Sequence, residues 1–383
     1  MPGLAGGMMR EFTDGSTAIV RGALDAGCSF FAGYPITPAT PILMMMMREL
    51  PLRGGVAIQG EDEIASIGMC IGAAMTGARA MTATSGPGIS LYSENIGLAI
   101  MGEVPLVVVD VQRMGPATGA ATTTGQGDVQ FVRWGTAGGY PVIVLAPSSI
   151  PECYHLTIDA FALAQRFRCP VFLLTDKELN LTSNTVEAAA FVPRHGMAPD
   201  GAPAAGAHVQ RRAPYVYDPP DGVPPLLPYG GSQTVRFTGS THNEQAFITK
   251  DPPTVDRLNR HLAAKIDEHR DELEFVTADL QAEAETLFVS FGVTAGAMRE
   301  AVRRARAGGE RVSALTIHGL WPVPERRIRQ ALMTVRRVVV AELNLGQYRR
   351  EVERLASAGQ EIVGIHRVDG DLIAPEQFLE ALA

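Results

Sequence analysis

Residues 57–92, AIQGEDEIASIGMCIGAAMTGARAMTATSGPGISLY, constrain the fold more than any other segment of the chain. The acidic turn Glu61-Asp62-Glu63 leads into a helix of mainly small residues, predicted from about residue 64 to 77. A strand over residues 80–84 follows, and it ends in the turn Ser85-Gly86-Pro87-Gly88. A carboxylate at the start of a buried helix, with a glycine-rich turn after the next strand, is typical of a cofactor site in an α/β fold.

Strand-like and helix-like segments alternate on both sides of this segment, which predicts parallel, doubly wound sheets. The run 104–111 is predicted to be a strand buried on both faces of such a sheet. We expect an α/β chain with one domain over residues 1–192 and a second over 285–383. Between them, residues 193–284 are predicted to be a Pro/Gly-rich linker followed by a charged helix over 254–280, whose charged side chains face solvent.

Composition excludes several classes of protein. Charged residues make up 19 % of the chain and hydrophobic residues 46 %, which is typical of a globular protein. The formal net charge of −8 argues against a nucleic-acid partner. We expect a cytosolic chain without a signal peptide, because the N-terminal segment has no long apolar core, and without a membrane span, because its apolar runs are too short.

The four cysteines are predicted to be buried small hydrophobic residues rather than cluster or zinc ligands. They are scattered among apolar residues and none forms a Cys-x-x-Cys pair, whereas iron–sulfur and structural zinc sites need grouped thiolates. We therefore predict no metal site on this chain. The four are Cys28, Cys70, Cys153 and Cys169.

Two further residues are candidates for ligand binding, each with a simpler alternative. Thr37 lies between Pro35-Ile36 and Pro38, in a stiff turn from a strand to a helix, and the alternative is a helix-capping role. Arg113 is the one cation at the start of the Gly/Thr-rich loop MGPATGAATTTGQGDVQF, and the alternative is a surface salt bridge. The glycines of residues 292–296 are a weak nucleotide-binding signal that lacks the full dinucleotide fingerprint.

Six segments together carry a resemblance to a known family. GYPITPATPI, GEDEIASIGMCIGAAMTGARAMTATSGPG and DVQRMGPATGAATTTGQGDVQF resemble the α subunit of 2-oxoacid:ferredoxin oxidoreductases, with the 2-oxoglutarate type nearest. SFGVTAGAMREAVRRAR, ALTIHGLWPVP and VVVAELNLGQY resemble the second, transketolase C-terminal-like domain of that family. The resemblance implies that residues 1–192 form the pyrimidine-type domain for thiamine diphosphate.

The resemblance also implies a reaction: oxidative decarboxylation of 2-oxoglutarate to succinyl-CoA and CO2, with coenzyme A as co-substrate and electrons passed to ferredoxin. Glu63 would be the catalytic carboxylate at N1′ of the aminopyrimidine ring, with Glu61 as the alternative. Thr37 and Arg113 would bind the substrate carboxylate, for which a charge-assisted arginine contact is well suited. The other implied cofactor-binding residues are Pro35, Ser85, Gly86, Pro87 and Gly88.

The family's Gly-Asp-Gly pyrophosphate motif and its cluster cysteines have no counterpart in this sequence. The resemblance therefore implies a β subunit that carries Mg²⁺, the pyrophosphate motif and at least one 4Fe-4S cluster. The small residues of the helix over 64–77 would pack closely against a partner subunit, and the chain alone is predicted to be inactive. Whether γ or δ subunits also exist stays open.

One departure from the family leaves the substrate open. Relatives of the 2-oxoglutarate type have a loop like GPSTGxPTxxEQxDL, whereas this loop is GPATGAATTTGQGDV, with Gly125 where those relatives have an acidic residue. Pyruvate, a branched-chain or an aryl 2-oxoacid therefore stay possible substrates. Two other functions stay open as well: a non-redox thiamine-dependent decarboxylase or carboligase, and a non-catalytic scaffold that completes a partner's pocket.

Overall fold

A computed structural model of the chain describes residues 9–193, 213–217, 221–231 and 233–382. Much of the predicted Pro/Gly-rich linker lies outside these residues. The predicted α/β class is confirmed, since sheets of seven, five and two strands are surrounded by helices. The strands are β1 Arg10–Thr13, β2 Phe30–Gly33, β3 Val56–Gln59, β4 Ala80–Thr84, β5 Leu106–Gln112, β6 Ile143–Leu145, β7 Pro170–Asp176, β8 Asn184–Glu187, β9 Val276–Asp279, β10 Thr286–Ser290, β11 Val312–Ile317, β12 Gly319–Trp321, β13 Arg337–Glu342 and β14 Glu361–His366.

The helices follow the strands in the order that a doubly wound fold requires. Three short 3₁₀ helices, at Pro51–Arg53, Ala188–Phe191 and Arg270–Leu273, add to them. The α-helices are α1 Gly15–Asp25, α2 Thr40–Glu49, α3 Glu63–Met75, α4 Gly86–Leu91, α5 Ser93–Met101, α6 Val129–Trp134, α7 Ile150–Phe167, α8 Lys177–Leu181, α9 Pro252–Asp267, α10 Thr294–Ala307, α11 Glu325–Leu332, α12 Arg349–Glu353 and α13 Pro375–Glu380.

The large sheet has the strand order β12-β6-β7-β5-β4-β2-β3, and all of its neighbours are parallel except β12 and β6. The five-stranded sheet has the order β14-β13-β10-β11-β9, with β9 as its antiparallel edge. In the large sheet β4 and β5 are central and fully buried, so their carboxyl ends lie in the middle of one sheet edge. Ligands of parallel α/β sheets bind at that edge.

The seven-stranded and the five-stranded sheet pack against each other through one apolar cluster. After β11 the chain leaves the five-stranded sheet, and the next strand, β12, pairs with β6 of the first sheet. One apolar cluster contains Phe172 of the first sheet together with Leu315 and Val338 of the second. The predicted domain limits at 192 and 285 stay a prediction.

Two predicted elements differ from the structure, and one strand was not predicted. The helix predicted over 254–280 ends at Asp267, because the β-branched Val276 and Thr277 pair with the free edge of β11. The turn at 85–88 is in fact the first turn of α4, with Ser85 as its N-cap. The strand β1, which pairs with β8, was not expected at all.

No helix among the residues that the structure describes is long and apolar enough to cross a membrane. All four cysteines are buried free thiols, as predicted. Burial raises the pKa of Cys28 and of Cys169 to about 12, so both thiols stay protonated and unreactive.

Candidate active site

Glu63 is the first residue of α3, and its side chain is buried, with 8 % of the residue exposed. The capping role belongs to its neighbour: Asp62 Oδ1 accepts a hydrogen bond of 2.7 Å from the backbone N–H of Ala65. Glu61, the alternative candidate, is exposed. Glu63 is therefore the acidic residue of the turn that is withdrawn from water, where a carboxylate interacts more strongly with a bound polar group.

The Glu63 carboxylate fits at the end of β4 because residue 88 is a glycine. A Cβ atom on Gly88 would lie 2.8 Å from Cγ and 3.1 Å from Oε1 of Glu63, and 1.9 Å from Oγ1 of Thr84. Any side chain here would displace the carboxylate. The hydroxyls of Thr84 and Ser85 are both buried, and neither has a hydrogen-bond partner within the described parts of the chain.

Arg113 and Thr37, the two predicted substrate-binding residues, are in contact. The Arg113 guanidinium donates to the backbone carbonyl of Thr37 at 2.6 Å and to that of Thr118 at 3.0 Å. Arg113 is buried, so the alternative of a surface salt bridge is wrong. Helix α2 has Ala39 as its N-cap and no side-chain cap, so the capping alternative for Thr37 is wrong as well.

A cleft of about 390 Å³ lies beside Arg113, between the first sheet and the five-stranded sheet. Its walls come from the start of α4, from the loop after β5 and from the segment after β13, so both sheets contribute. The lining residues are Gly86, Pro87, Ser90, Arg113, Met114, Gly115, Pro116, Ala117, Thr124, Gly125, Gly127, Asp128, Phe131, Leu343, Asn344, Leu345, Gln347 and Val368.

Unpartnered polar atoms gather beneath this cleft. Nε of Arg113 and Oγ1 of Thr124 are buried without a hydrogen-bond partner, and both carboxyl oxygens of Asp110 and Oδ2 of Asp128 are buried without an N–H or hydroxyl donor, among the residues described. Buried polar groups in proteins almost always have partners, so such a cluster marks a site for a polar ligand. Of these four residues, only Arg113 was predicted from the sequence to belong to the site; Asp110, Thr124 and Asp128 were not.

Gln126 attaches the cleft loop to the second sheet. It is fully buried, and its side-chain oxygen accepts from the backbone N–H of Leu343 at 3.0 Å while its backbone carbonyl accepts from Asn344 at 2.7 Å. Its amide also donates to Asp176 at 2.9 Å. The second sheet therefore holds the loop that forms the cleft, which no local sequence signal indicated.

Comparisons with known proteins agree with this geometry. Residues 21–260 match the thiamine diphosphate-binding domain of pyruvate flavodoxin/ferredoxin oxidoreductases, and residues 284–378 match core domain II of pyruvate:ferredoxin oxidoreductase. The chain is 40 % identical to the 2-oxoglutarate synthase subunit KorA of Methanocaldococcus jannaschii, over 98 % of this chain and 100 % of that protein.

The chain belongs to the pyruvate flavodoxin/ferredoxin oxidoreductase family. It is also 35 % identical to the ketoisovalerate oxidoreductase subunit VorB of Methanothermobacter thermautotrophicus, over 98 % of this chain and 97 % of that subunit. A solved 2-oxoglutarate:ferredoxin oxidoreductase from Magnetococcus marinus, with 2-oxoglutarate, coenzyme A and succinyl-CoA bound, superposes with a TM-score of 0.89 at 30 % identity. The superposition covers 97 % of this chain and 64 % of the solved chain.

The thiamine diphosphate-binding domain of the family contains every residue proposed for the site. Ser85 and Gly88 are buried beside Glu63, and Gly86 and Pro87 line the cleft. Pro35 and Thr37 are exposed at the turn between β2 and α2. The buried hydroxyls of Thr84 and Ser85, which have no partner among the described residues, fit a polar heterocycle held next to Glu63. The individual roles of these residues stay predictions.

The glycine turn at 292–296, a weak nucleotide signal in the sequence, is occupied by protein. The Asp176 carboxylate accepts from the backbone N–H of Val293 at 2.6 Å, just before α10. A Cβ atom on Gly292, where φ is +59°, would lie 2.3 Å from Oδ2 of Asp176. The start of α10 therefore binds a carboxylate of this chain, which fills the place a phosphate would take.

Helix α9 was predicted to carry only solvated charges, and that is wrong for two of its residues. His261 and Lys265 are fully buried, and each lies within 3.0 Å of Oε2 of Glu103. The Lys265 ammonium and the His261 ring lower the pKa of Glu103 to about 2 against the opposing effect of burial. This cluster attaches the helix after the linker to the first sheet.

Proposed function

We propose that this chain is the α subunit of a heteromeric 2-oxoacid:ferredoxin oxidoreductase that converts 2-oxoglutarate to succinyl-CoA and CO2. The observation that carries the proposal is the buried Glu63 carboxylate, packed against Gly88 at the carboxyl end of β4. That position, at the ligand-binding edge of a parallel sheet, suits a group that holds a cofactor ring.

Thiamine diphosphate, when bound, supplies the nucleophile and the electron sink for decarboxylation. The part played by this chain would be to orient the pyrimidine ring: the Glu63 carboxylate would hold the ring by a hydrogen bond, in surroundings where water does not weaken it. Gly88 leaves the room that the Glu63 carboxylate needs. Pro35, Ser85, Gly86 and Pro87 would be the other residues that hold the cofactor.

Arg113 and Thr37 bind the carboxylate of the 2-oxoacid. The guanidinium has five N–H groups, of which two are used for the carbonyls of Thr37 and Thr118, so donors remain for an anion. Those two bonds also fix the plane of the guanidinium. A guanidinium held in one orientation binds a carboxylate at a lower entropic cost.

A partner β subunit supplies what this chain lacks. It carries the Gly-Asp-Gly motif with Mg²⁺ for the diphosphate, and the 4Fe-4S cluster through which electrons pass to ferredoxin. Coenzyme A accepts the acyl group. Two observations support a partner: relatives of similar length are named as subunits, and the chain spans only 64 % of the solved chain that it resembles.

The choice of 2-oxoglutarate rests on graded similarity. Four 2-oxoglutarate synthase subunits are 38–40 % identical to this chain, whereas two ketoisovalerate oxidoreductase subunits are 33–35 % identical.

Gly125 departs from the 2-oxoglutarate type. A Cβ atom there would lie 3.0 Å from Cα of Met114, so the backbone of this loop is packed around a glycine.

The test uses the complex assembled from this chain and the β subunit encoded with it. We expect CoA-dependent ferredoxin reduction with 2-oxoglutarate at a higher kcat/KM than with pyruvate or 2-oxoisovalerate. Glu63→Gln should abolish the activity while the subunits still assemble, and the exposed Glu61→Gln is the matched control with activity retained. Wild-type turnover by Glu63→Gln would refute the role of Glu63, and activity without ferredoxin or another electron acceptor would favour a non-redox enzyme.

A further inference from the structure

Two aspartates lie close to each other, and one of them lines the cleft. Asp110 is in the fully buried strand β5, and none of its surface is exposed. Asp128 precedes α6 and lines the cleft, where its carboxyl oxygens would lie 3.4 and 3.5 Å from a Cβ atom on Gly86. The two carboxyl groups are within hydrogen-bond reach of each other.

The surroundings of the two carboxyl groups require that one of them is protonated. Both oxygens of Asp110 and Oδ2 of Asp128 are buried, and no donor reaches them from the described residues. Two ionised carboxylates in contact repel each other strongly in such surroundings, so one of them carries a proton and donates it to the other. Burial, followed by the neighbouring Asp128, raises the pKa of Asp110 well above its usual value.

Arg113 completes the charge balance. Burial raises the pKa of Asp128 to about 6, and the Arg113 guanidinium acts in the opposite direction. The charged groups that act on the pair are thus Arg113 and the two carboxyls themselves. With one proton on the pair, the cleft floor holds one positive and one negative charge.

We propose that the Asp110–Asp128 pair takes up a second proton when the carboxylate of a 2-oxoacid binds at Arg113. This inference rests on the proposed function, because it takes Arg113 as the anchor of the substrate carboxylate. The incoming anion competes with Asp128 for the positive charge of Arg113. Protonation of Asp128 removes that competition, so the pair adjusts its charge to the ligand and is a positioning element for Arg113.

The step is a proton transfer from solvent buffer to a carboxylate oxygen of Asp128. One O–H bond forms on Asp128, one bond to hydrogen breaks in the buffer acid, and no electrons change hands. A nearby like charge raises a carboxyl pKa by ~1–3 units, so a group with a pKa of about 6 gains roughly 0.4–0.9 proton at pH 7.

Isothermal titration calorimetry on the assembled complex tests the proposal. The complex carries an unreactive thiamine diphosphate analogue, so binding is observed without turnover, and 2-oxoglutarate is titrated at pH 7 in phosphate and in imidazole buffers. The difference in heat between buffers of different ionisation enthalpy gives the number of protons taken up. We expect uptake of about 0.4–0.9 proton at pH 7 and little at pH 5, where the pair is already doubly protonated.

Substitutions assign the proton to the pair. Asp128→Asn should bind 2-oxoglutarate with no proton uptake and with an affinity that no longer changes between pH 6 and 8. Asp110→Asn should keep the uptake, because the amide, like the protonated carboxyl group of Asp110, is neutral and donates to Asp128. Asp159→Asn is the matched control: Asp159 is a buried aspartate of α7 that does not line the cleft, and the proton count should stay that of the wild type.

The outcomes separate this inference from the proposed function. Binding of 2-oxoglutarate by the wild type without proton uptake overturns the inference and leaves the function intact. Undiminished uptake in Asp128→Asn also overturns it. Failure of 2-oxoglutarate, pyruvate and 2-oxoisovalerate to bind at all refutes both. If Asp128→Asn does not fold, the number of protons taken up by the wild type and by Asp110→Asn still tests the inference.

Discussion

The carboxylate of Asp176, at the end of β7 in the seven-stranded sheet, accepts a hydrogen bond of 2.6 Å from the backbone N–H of Val293 beside the five-stranded sheet. Gln126, in the loop that forms the cleft, donates to the same aspartate at 2.9 Å. The second sheet thus supports the cleft through a buried polar contact. Burial raises the pKa of Asp176 to about 7, which the two hydrogen bonds partly oppose.

Gly292→Ala should loosen this contact. A Cβ atom at that position would lie 2.3 Å from Asp176 and 2.4 Å from the amide of Gln126, and φ is +59°, so we expect a loss of ~1–3 kcal/mol of stability. Thermal unfolding measures it. Gly296→Ala is the control in the same segment, because open space surrounds that position. Equal melting temperatures for the two variants would contradict the packing described here.

Arg113→Ala should raise the KM for the 2-oxoacid by roughly 10- to 100-fold, the range expected for loss of a hydrogen bond to a charged group. The KM for coenzyme A should change much less. Steady-state kinetics of the assembled complex with each substrate varied in turn provide the comparison. A similar rise in both KM values would argue against a role in binding the oxoacid carboxylate, and Arg303→Ala, on an exposed helix face, serves as the control.

Glu103→Gln should destabilise the chain by ~3–5 kcal/mol, because it leaves the buried Lys265 ammonium without its counter-charge. Glu300→Gln, which removes an exposed partner of Arg303 and Arg304, should leave the melting temperature unchanged. Because the folded-state pKa of Glu103 is lowered to about 2, its contribution is present above about pH 4.5 and is lost as the pH falls toward 2. The Glu103→Gln variant should lack that part of the acid transition.

Gly68→Leu should weaken assembly with the β subunit. Gly68 and Gly72 lie one turn apart on the exposed face of α3, and open space surrounds both in the chain by itself. A glycine inside a helix costs about 1 kcal/mol relative to alanine, so these two are expected to serve close packing with another chain. Analytical ultracentrifugation of the complex, with the melting temperature of the isolated chain as the control, distinguishes assembly from folding. Unchanged assembly would exclude this face as the contact.

Local patterns predicted much of the fold correctly. The limits of β4 agree with the strand predicted over 80–84, because a run of apolar and β-branched residues between glycines leaves little choice of structure. The helix predicted over 254–280 failed, because β9 becomes a strand only by pairing with β11, a partner more than 30 residues away. Propensity carries no information about such a partner.

The residues of the candidate site also fall into two groups: those that local sequence motifs indicate and those that only the structure indicates. Glu63, Gly88 and Arg113 stand in motifs whose order along the chain was enough to select them. Asp110 was overlooked inside an apolar strand, and Asp128 follows a loop of small residues, so neither stood out. Their significance comes from contact with each other, which depends on the course of the loop between them.

The sequence by itself determined the α/β class, the family and the carboxylate at the start of α3, because each is written in residues close together along the chain. Only the tertiary structure decided which polar groups became buried together: Asp110 with Asp128, Gln126 with Asp176, and Glu103 with Lys265. The energy of such contacts depends on distance and on exclusion of water, and both are set by segments that are far apart in sequence.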